Sequence, residues 1–461
     1  MSVTEINPLE SFQWERQPAA ERLVRRLVEE FVGRNSWARS FAEKLSDEAG
    51  VRFVDLVDDI AVPADETLRR EILDAGFMRN PADQRVEWYV HGGGMFPAIV
   101  LHDATTTRVA IKVEYAADFA ARWSIPAKTI EGEPTAPMRR VLMSDNGQTQ
   151  LVAVERHGYR GLEVPKWSAE KAMLVLKHRE ALRLRRRDFE QDEDGFAHAH
   201  ELIDRAIADI GVDYTCDLFF AAEREYWQSR NRAAQVQKAR QNRLGIGWAN
   251  HDHHTYRSSR EQFKNLVGVW EKLGLICRER FYAGREAGWG AQVMEQPVTG
   301  IITFNDVDLS AEELMGDFSH DGLSPRDKLG TVGLWCALHG EAFLQAGMHH
   351  LEGQFDFDGL REQLEREGGV KTMKPFTDFS YLRQAFTEGE RWAVDPKRIE
   401  RALAKGYITS EQAQQFREQG AIGSHLENLE RNEGFKGFNQ TGVSEIIAAT
   451  DPRKQVGALH A

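Results

Sequence analysis

The chain has 461 residues, of which 41% are apolar and 28% charged, and a formal net charge of −13. That length can bury the cores of two or more packed lobes, and the acidic balance excludes a surface built to neutralise nucleic-acid phosphates. Its three cysteines, Cys216, Cys277 and Cys336, include no Cys-x-x-Cys pair, which excludes a disulfide framework and a thiolate zinc cluster and suits a reducing, cytoplasmic setting.

No apolar run approaches about 18 residues and the N-terminus has no leader pattern, so a soluble protein without membrane association is expected. Residues 1–50 read as helical, with Leu23, Val24, Leu27, Val28 and Phe31 on one stripe. Residues 51–125 read as mixed. Arg52–Val57 suits a strand or a helix, and Ala64–Gly76 a helix closed by its glycine. Val86–Val90, Pro97–Leu101 and Val109–Tyr115 are strands, with Ala116–Trp123 a short helix. Pro126, Pro134, Pro137 and the Asn146-Gly147 turn signal make 126–165 irregular or hairpin-like.

Ser168 to about Asn242 is helical in pattern, broken near Gly211. The basic cluster Arg183–Arg187 is followed at once by acidic residues and reads as a solvated helix end. This divides the chain into an N-terminal helical and mixed lobe (1–165), a helical connector (166–245) and a second mixed lobe (246–461). No internal repeat stands out.

The second lobe opens on the clearest pattern. His251–Ser258 reads as a strand, and Phe263, Leu266, Val267, Trp270 and Leu273 mark one face of a helix stopped by Gly274. Leu275–Tyr282, Ala291–Gln296 and Gly300–Asn305 are further strands, completing a β-α-β-β-β unit. Gly330–Gly347 reads as a buried helix, residues 357–420 as three more helical pieces, and Gly423–Arg431 as a strand running into a glycine-rich turn.

Several places carry metal-ligand residue types. In a strand, His251 and His253 share one face and His254 takes the other, so one histidine can be a ligand while a neighbour supports it. His91 precedes three glycines, which permit close backbone approach but lack phosphate-loop spacing. His425, Glu427 and Asn428 lie in the C-terminal strand. His339 with Glu341, and His349-His350 with Glu352, read as core or rim residues of packed helix, and His198 and His200 as exposed. No Gly-x-Ser-x-Gly elbow occurs, so nucleophilic hydrolysis has little support.

Together these stretches resemble the bacterial 2-oxoadipate dioxygenase/decarboxylase family. The resemblance lies in Val90-His91-Gly92-Gly93, in His253-His254-Thr255-Tyr256-Arg257, in Leu382-Arg383-Gln384 and in Asn428-Leu429-Glu430-Arg431-Asn432, in the family's order. It implies an α+β fold of the vicinal-oxygen-chelate type, a mixed half-barrel core of β-α-β-β-β units elaborated with helices. It also implies a non-haem Fe(II) held by His91, His254 and Glu430, with His253 and Glu427 as alternates one or more residues out of register. Arg257, Arg383 and Gln384 would serve catalysis, with Arg260 a further anion-binding candidate. Two imidazoles and one carboxylate leave iron positions open for a chelating substrate and O₂, so the implied activity is oxidative decarboxylation and hydroxylation of a small 2-oxo acid. The family's substrate-gripping arginine after its first histidine is replaced here by Met95-Phe96-Pro97, which points to an apolar or aromatic distal end on the substrate. Oligomeric state is left open, with a homo-oligomer compatible.

Two other readings stay open. A metal-dependent lyase or isomerase would need a base, for which Glu295 or Glu427 is placed. A non-catalytic binding protein would line an apolar cleft with Trp270, Trp289 and Phe435.

Overall fold

The computed structural model describes residues 14–81, 86–439 and 451–453; the first 13 residues of the expected N-terminal helical stretch lie outside the described residues. Two sheets organise the chain. The first contains β1 (Val57–Pro63), β2 (Met78–Arg79), β3 (Glu87–Val90), β4 (Ala98–His102), β5 (Thr107–Lys112), β6 (Met138–Asp145) and β7 (Thr149–Arg156), in the order β2-β3-β4-β1-β5-β7-β6. The second contains β8 (His251–Arg257), β9 (Ile276–Tyr282), β10 (Trp289–Glu295), β11 (Ile302–Asp308), β12 (His350–Gln354), β13 (Thr377–Phe379), β14 (Leu382–Phe386), β15 (Glu390–Trp392) and β16 (Ala421–Arg431). Its order is β13-β14-β16-β12-β8-β11-β10-β9, with β15 pairing on β16.

The expected β-α-β-β-β unit is present. Helix Phe263–Lys272 buries Phe263, Leu266, Val267, Val269 and Trp270. It ends as the glycine signal requires, with Gly274 at φ +82°. The chain then runs β9, β10 and β11, and β11 returns parallel to β8. A second unit has the same plan: β12, helix Phe357–Gly368, β13, β14 and β16, with β16 parallel to β12. β15 and the helices Pro396–Ala404 and Ser410–Gln419 are inserted before the last strand. The two units join where β12 pairs antiparallel with β8.

The first sheet repeats this arrangement. β1, helix Glu66–Asp74, β2, β3 and β4 form one unit, with β4 parallel to β1. β5, helix Ala116–Arg122, β6 and β7 form another, whose missing strand survives as a single bridge, Glu131 to Arg140. β1 and β5 join these units antiparallel. The repeat that no sequence pattern disclosed is therefore one of topology. Paired units of this kind, with mixed half-barrel sheets and many helices, constitute a vicinal-oxygen-chelate type of fold.

Helices Ala169–Arg183, Asp192–Ile210, Val212–Ser229 and Arg232–Leu244 follow the first sheet in the chain, with Gly211 at φ +83° between the second and third. The buried helix expected over 330–347 is shorter. Helix Thr331–His339 ends at Gly340, one further turn spans Ala342–Ala346, and the chain enters β12 at His350. Among the described residues, no helix is long and apolar enough to cross a membrane.

Candidate metal centre

Strand alternation assembles the site. On β8, His253, Thr255 and Arg257 face a cavity, while His254 and Tyr256 pack the other way, against Phe220 of helix Val212–Ser229. β12 brings His350 and Glu352 to the cavity face, and β16 adds Glu427, in parallel register with Glu352. β14 adds Gln384.

The side chains converge closely. Glu352 Oε1 lies 2.5 Å from His253 Nε2 and 2.7 Å from His350 Nε2. Glu427 Oε2 lies 3.5 Å from His350 Nε2, and the donor atoms of His253, Glu352 and Glu427 all fall within 4.8 Å of one another. All four residues are buried. Burial, then repulsion from Glu427, pushes the Glu352 carboxyl well above its usual range; burial raises Glu427 to about 7. Burial also lowers His253 to about 4 and His350 well below the ordinary imidazole range. The imidazoles therefore stay neutral, and without a cation the two carboxyls are driven toward their protonated forms.

Neighbouring groups fix the orientation of this set. Asp252 Oδ1 lies 2.8 Å from His253 Nδ1. Asp252 itself accepts from Arg431 at 2.9 and 3.1 Å and from Gln354 at 2.8 Å. A carboxylate on one ring nitrogen leaves the other as a bare lone pair aimed at the cluster, as in metal-ligating histidines. His350 Nδ1 shares a hydrogen bond with His349 Nδ1 at 2.7 Å. Thr255 Oγ1 donates to Glu352 Oε1 and Gln384 Nε2 to Glu427 Oε1, whereas Glu352 Oε2 is buried without a hydrogen-bond partner among the described residues. Two neutral imidazoles, two crowded carboxylates and an orphaned carboxylate oxygen fit a divalent cation.

The sequence-based trio does not come together. His91 lies edge-on to Phe77 and Phe96, at 5.1 and 5.2 Å, beside the first sheet. His254 meets Arg224 and the Ile302 carbonyl on the helix side of β8. Glu430 pairs with Arg52 and accepts from the Phe357 amide. The period of two explains the last two: His254 is one residue from His253 and Glu430 three from Glu427, so each takes the opposite face. Arg383 points outward to Asp358 and Asp378, whereas Gln384 and Arg257 line the cavity. Arg260 is fully engaged by Glu313 and two carbonyls, and Glu295 by Arg278 and Lys436. Of the apolar-cleft residues, Trp289 lines the cavity, Trp270 donates to Asn305 in the core, and Phe435 lines a separate depression.

His339 and Glu341 are core residues, bonded to the Ile422 carbonyl and to Ser258 and Ser259. His349, His350 and Glu352 are not merely packed helix: they stand at the centre of the cluster. The signal for them was the alternating His350-x-Glu352 after Gly347, the same spacing as His251-x-His253. The cavity, about 60 Å³, is walled by Phe281, Trp289, Phe304, Phe376, Phe386 and Phe438; Phe438 lies edge-on to His253 at 4.7 Å.

No protein-family model matches the chain, and no curated protein matches it. Among solved structures it is similar to methylmalonyl-CoA epimerase from Mycobacterium tuberculosis, with 13% identity over 40% of this chain and 88% of that one (TM-score 0.23). It is also similar to a glyoxalase superfamily protein from Ralstonia eutropha JMP134, with 12% identity over 58% and 97% (TM-score 0.32). A mutant of 4-hydroxymandelate synthase from Streptomyces coelicolor matches over 87% of this chain and 98% of its own, with 12% identity and a TM-score of 0.25.

Proposed function

We propose that this chain is a metal-dependent enzyme in which His253, His350 and Glu427, with Glu352 beside them, hold a ferrous ion. We propose further that it uses O₂ to oxidise a small 2-oxo acid with loss of its carboxylate. The observation that carries the reading is the convergence of two neutral imidazoles and two carboxylates on one buried, aromatic-walled face. A ferrous ion in such a set supplies open positions for a chelating 2-oxo acid and for O₂.

The chain's own residues provide the rest. Asp252, clamped by Arg431, keeps the His253 proton on Nδ1 and Nε2 free to ligate. Gln384 holds one Glu427 oxygen and leaves the other for the ion. The aromatic walls exclude water from the reacting centre, which strengthens every charge interaction there. The resemblance to the 2-oxoadipate family implies His91, His254 and Glu430 as ligands; it supports the oxygenase reading through residue types alone, since only its alternates His253 and Glu427 stand in this site.

One observation favours a second reading. Glu352 is a carboxylate beyond the three-ligand set, and its Oε2 has no hydrogen-bond partner among the described residues. A carboxylate held there by Thr255 suits a base that takes a proton from carbon, as a lyase or isomerase requires.

The deciding experiment measures metal in protein purified anaerobically, in wild type and in His253→Ala, His350→Ala and Glu427→Ala, followed by O₂ uptake with a panel of 2-oxo acids. One iron per chain, lost in each variant, with O₂ consumed on addition of a keto acid, supports the oxygenase. Metal without O₂ consumption moves the assignment to the second reading, and absence of bound metal overturns both.

A further inference from the structure

Several buried ions in this protein are saturated. Arg260 spends its guanidinium on Glu313 and on the Asp308 and Ser324 carbonyls. Arg431 holds Asp252 and two carbonyls, and Asp308 accepts from three backbone amides, those of Gly330, Val332 and Gly333. Arg257 and Asp306 face one another without a hydrogen bond between them. They are 4% and 3% exposed and stand opposite one another on β8 and β11, yet Arg257 Nε lies 3.7 Å from Asp306 Oδ2, too far for a hydrogen bond. Arg257 Nε and Asp306 Oδ1 are both buried without a hydrogen-bond partner among the described residues. Leaving such groups unsatisfied is costly, and both line the cavity that holds the metal cluster.

From this we infer that Arg257 and Asp306 form a recognition subsite for a neutral group that both accepts and donates hydrogen bonds, a carboxamide or a hydroxyl, at the distal end of the substrate. The inference rests on the proposal that this cavity receives the substrate. Arg257 stands two residues beyond Thr255, which bonds Glu352, on β8, about 7 Å at roughly 3.3 Å per residue, so the subsite lies on the same cavity face next to the donor cluster. The aromatic walls of the cavity suit a flat, apolar body. Charge selects against a second carboxylate. The charged side chains lining the cavity are Arg257, Asp306, Glu352 and Glu427, which a divalent ion neutralises in full. A distal carboxylate would bring an unbalanced negative charge against Asp306 in a buried site. A neutral donor–acceptor group accepts from the guanidinium and donates to the Asp306 carboxylate, leaving the balance intact. The substrate is thus not a dicarboxylate.

The test uses benzamide and benzoate as probes, with binding followed by ligand-observed NMR on Zn²⁺-loaded and metal-free protein, so that benzoate ligating the metal is recognised by its dependence on it. Wild type should bind benzamide at least about tenfold more tightly than metal-independent benzoate, the scale of one hydrogen bond to a charged group. Asp306→Asn should reverse the preference, because Arg257 is then unbalanced, and Arg257→Gln should abolish benzamide binding. Benzoate binding equal to or tighter than benzamide in wild type, no binding of either probe, or an unchanged preference in Asp306→Asn would each overturn the inference. If Asp306→Asn does not fold, wild type against Arg257→Gln decides. Metal content and O₂ uptake are separate readouts, so a failed subsite is distinguishable from a failed enzyme assignment.

Discussion

Replacing Glu352 by Gln should move metal affinity and metal-free stability in opposite directions. Glu352 Oε1 contacts two imidazole nitrogens and accepts from Thr255, while Glu427 occupies the adjacent position on β16. In the metal-free protein two buried carboxylates repel with no cation between them, and burial and that repulsion hold Glu352 far above its usual range. Glutamine keeps the shape and the acceptor for Thr255 but removes one charge. Exchanging a poorly compensated buried charge for a neutral group of similar volume stabilises by about 1–4 kcal/mol in comparable cases. At roughly 2–4 °C per kcal/mol for domains near 200 residues, the metal-free melting temperature should rise by a few degrees at pH 8. Metal binding should weaken by roughly 10- to 100-fold, the cost of losing a partner beside the ligands, that is, by about 1.4–2.7 kcal/mol. Thermal melts with chelator and with added Fe²⁺ or Co²⁺ under anaerobic conditions, beside chelator-competition titrations, read both effects. A lower metal-free melting temperature, or unchanged metal affinity, would refute the argument that Glu352 is there to meet a cation.

Other consequences are as specific. Asp252→Asn leaves every proposed ligand in place but loosens His253, so chelator competition should show metal affinity falling about 10- to 100-fold; an unchanged affinity would remove Asp252 from the site. His91→Ala and Glu430→Gln should retain full metal content by elemental analysis. Glu430→Gln should cost only about 1 kcal/mol in urea unfolding, because Arg52 keeps its Asp55 partner. His157 gives a pH signature away from the metal. Burial disfavours its charge, but Asp217 and Glu155 at 2.6 and 2.8 Å outweigh this and raise it to about 9. Since the unfolded value is about 6.5, the stabilisation is complete below that pH and lost as pH rises through 9, about 3 kcal/mol in all. Urea unfolding at pH 6 and pH 9.5 should show that decline in wild type and not in His157→Gln.

The sequence was most readable where one element carries one period. The amphipathic helix Phe263–Lys272 falls where its apolar spacing puts it, and the strand expected over Gly423–Arg431 lies within β16. The chemistry was harder to read for two physical reasons. A one-residue slip in a strand turns a cavity group into a helix-facing one, and this separates His253 from His254. β12 is only five residues long and follows directly on apolar helix, so its alternation was overwritten by the helical pattern before it. Nor does a topological repeat need any shared residues: it requires only that each unit's last strand return beside its first.

That repeat raises the question of why the first sheet should not bind a second ion. The answer lies in what fills the equivalent face. The helices cover the Ile60, Val62 and Val109 side of the first sheet. The opposite face presents Ala61, Trp88 and Val100 beside Ala110, Met138, Val152 and Val154, and is closed by Leu162, Tyr159 and Val164 from the segment after β7. Apolar side chains stand where β8, β12 and β16 offer imidazole and carboxylate, and among the described residues of that half no three donor side chains bring their ligand atoms within 4.8 Å of one another. The chain should therefore bind one ion with high affinity despite its four units. The exposed Glu271, Cys277 and His320 are the remaining group of donor types, and Cys277→Ser removes its thiol. Elemental analysis of that variant after dialysis should give one metal per chain; a reproducible second equivalent would show that the first sheet had kept a site.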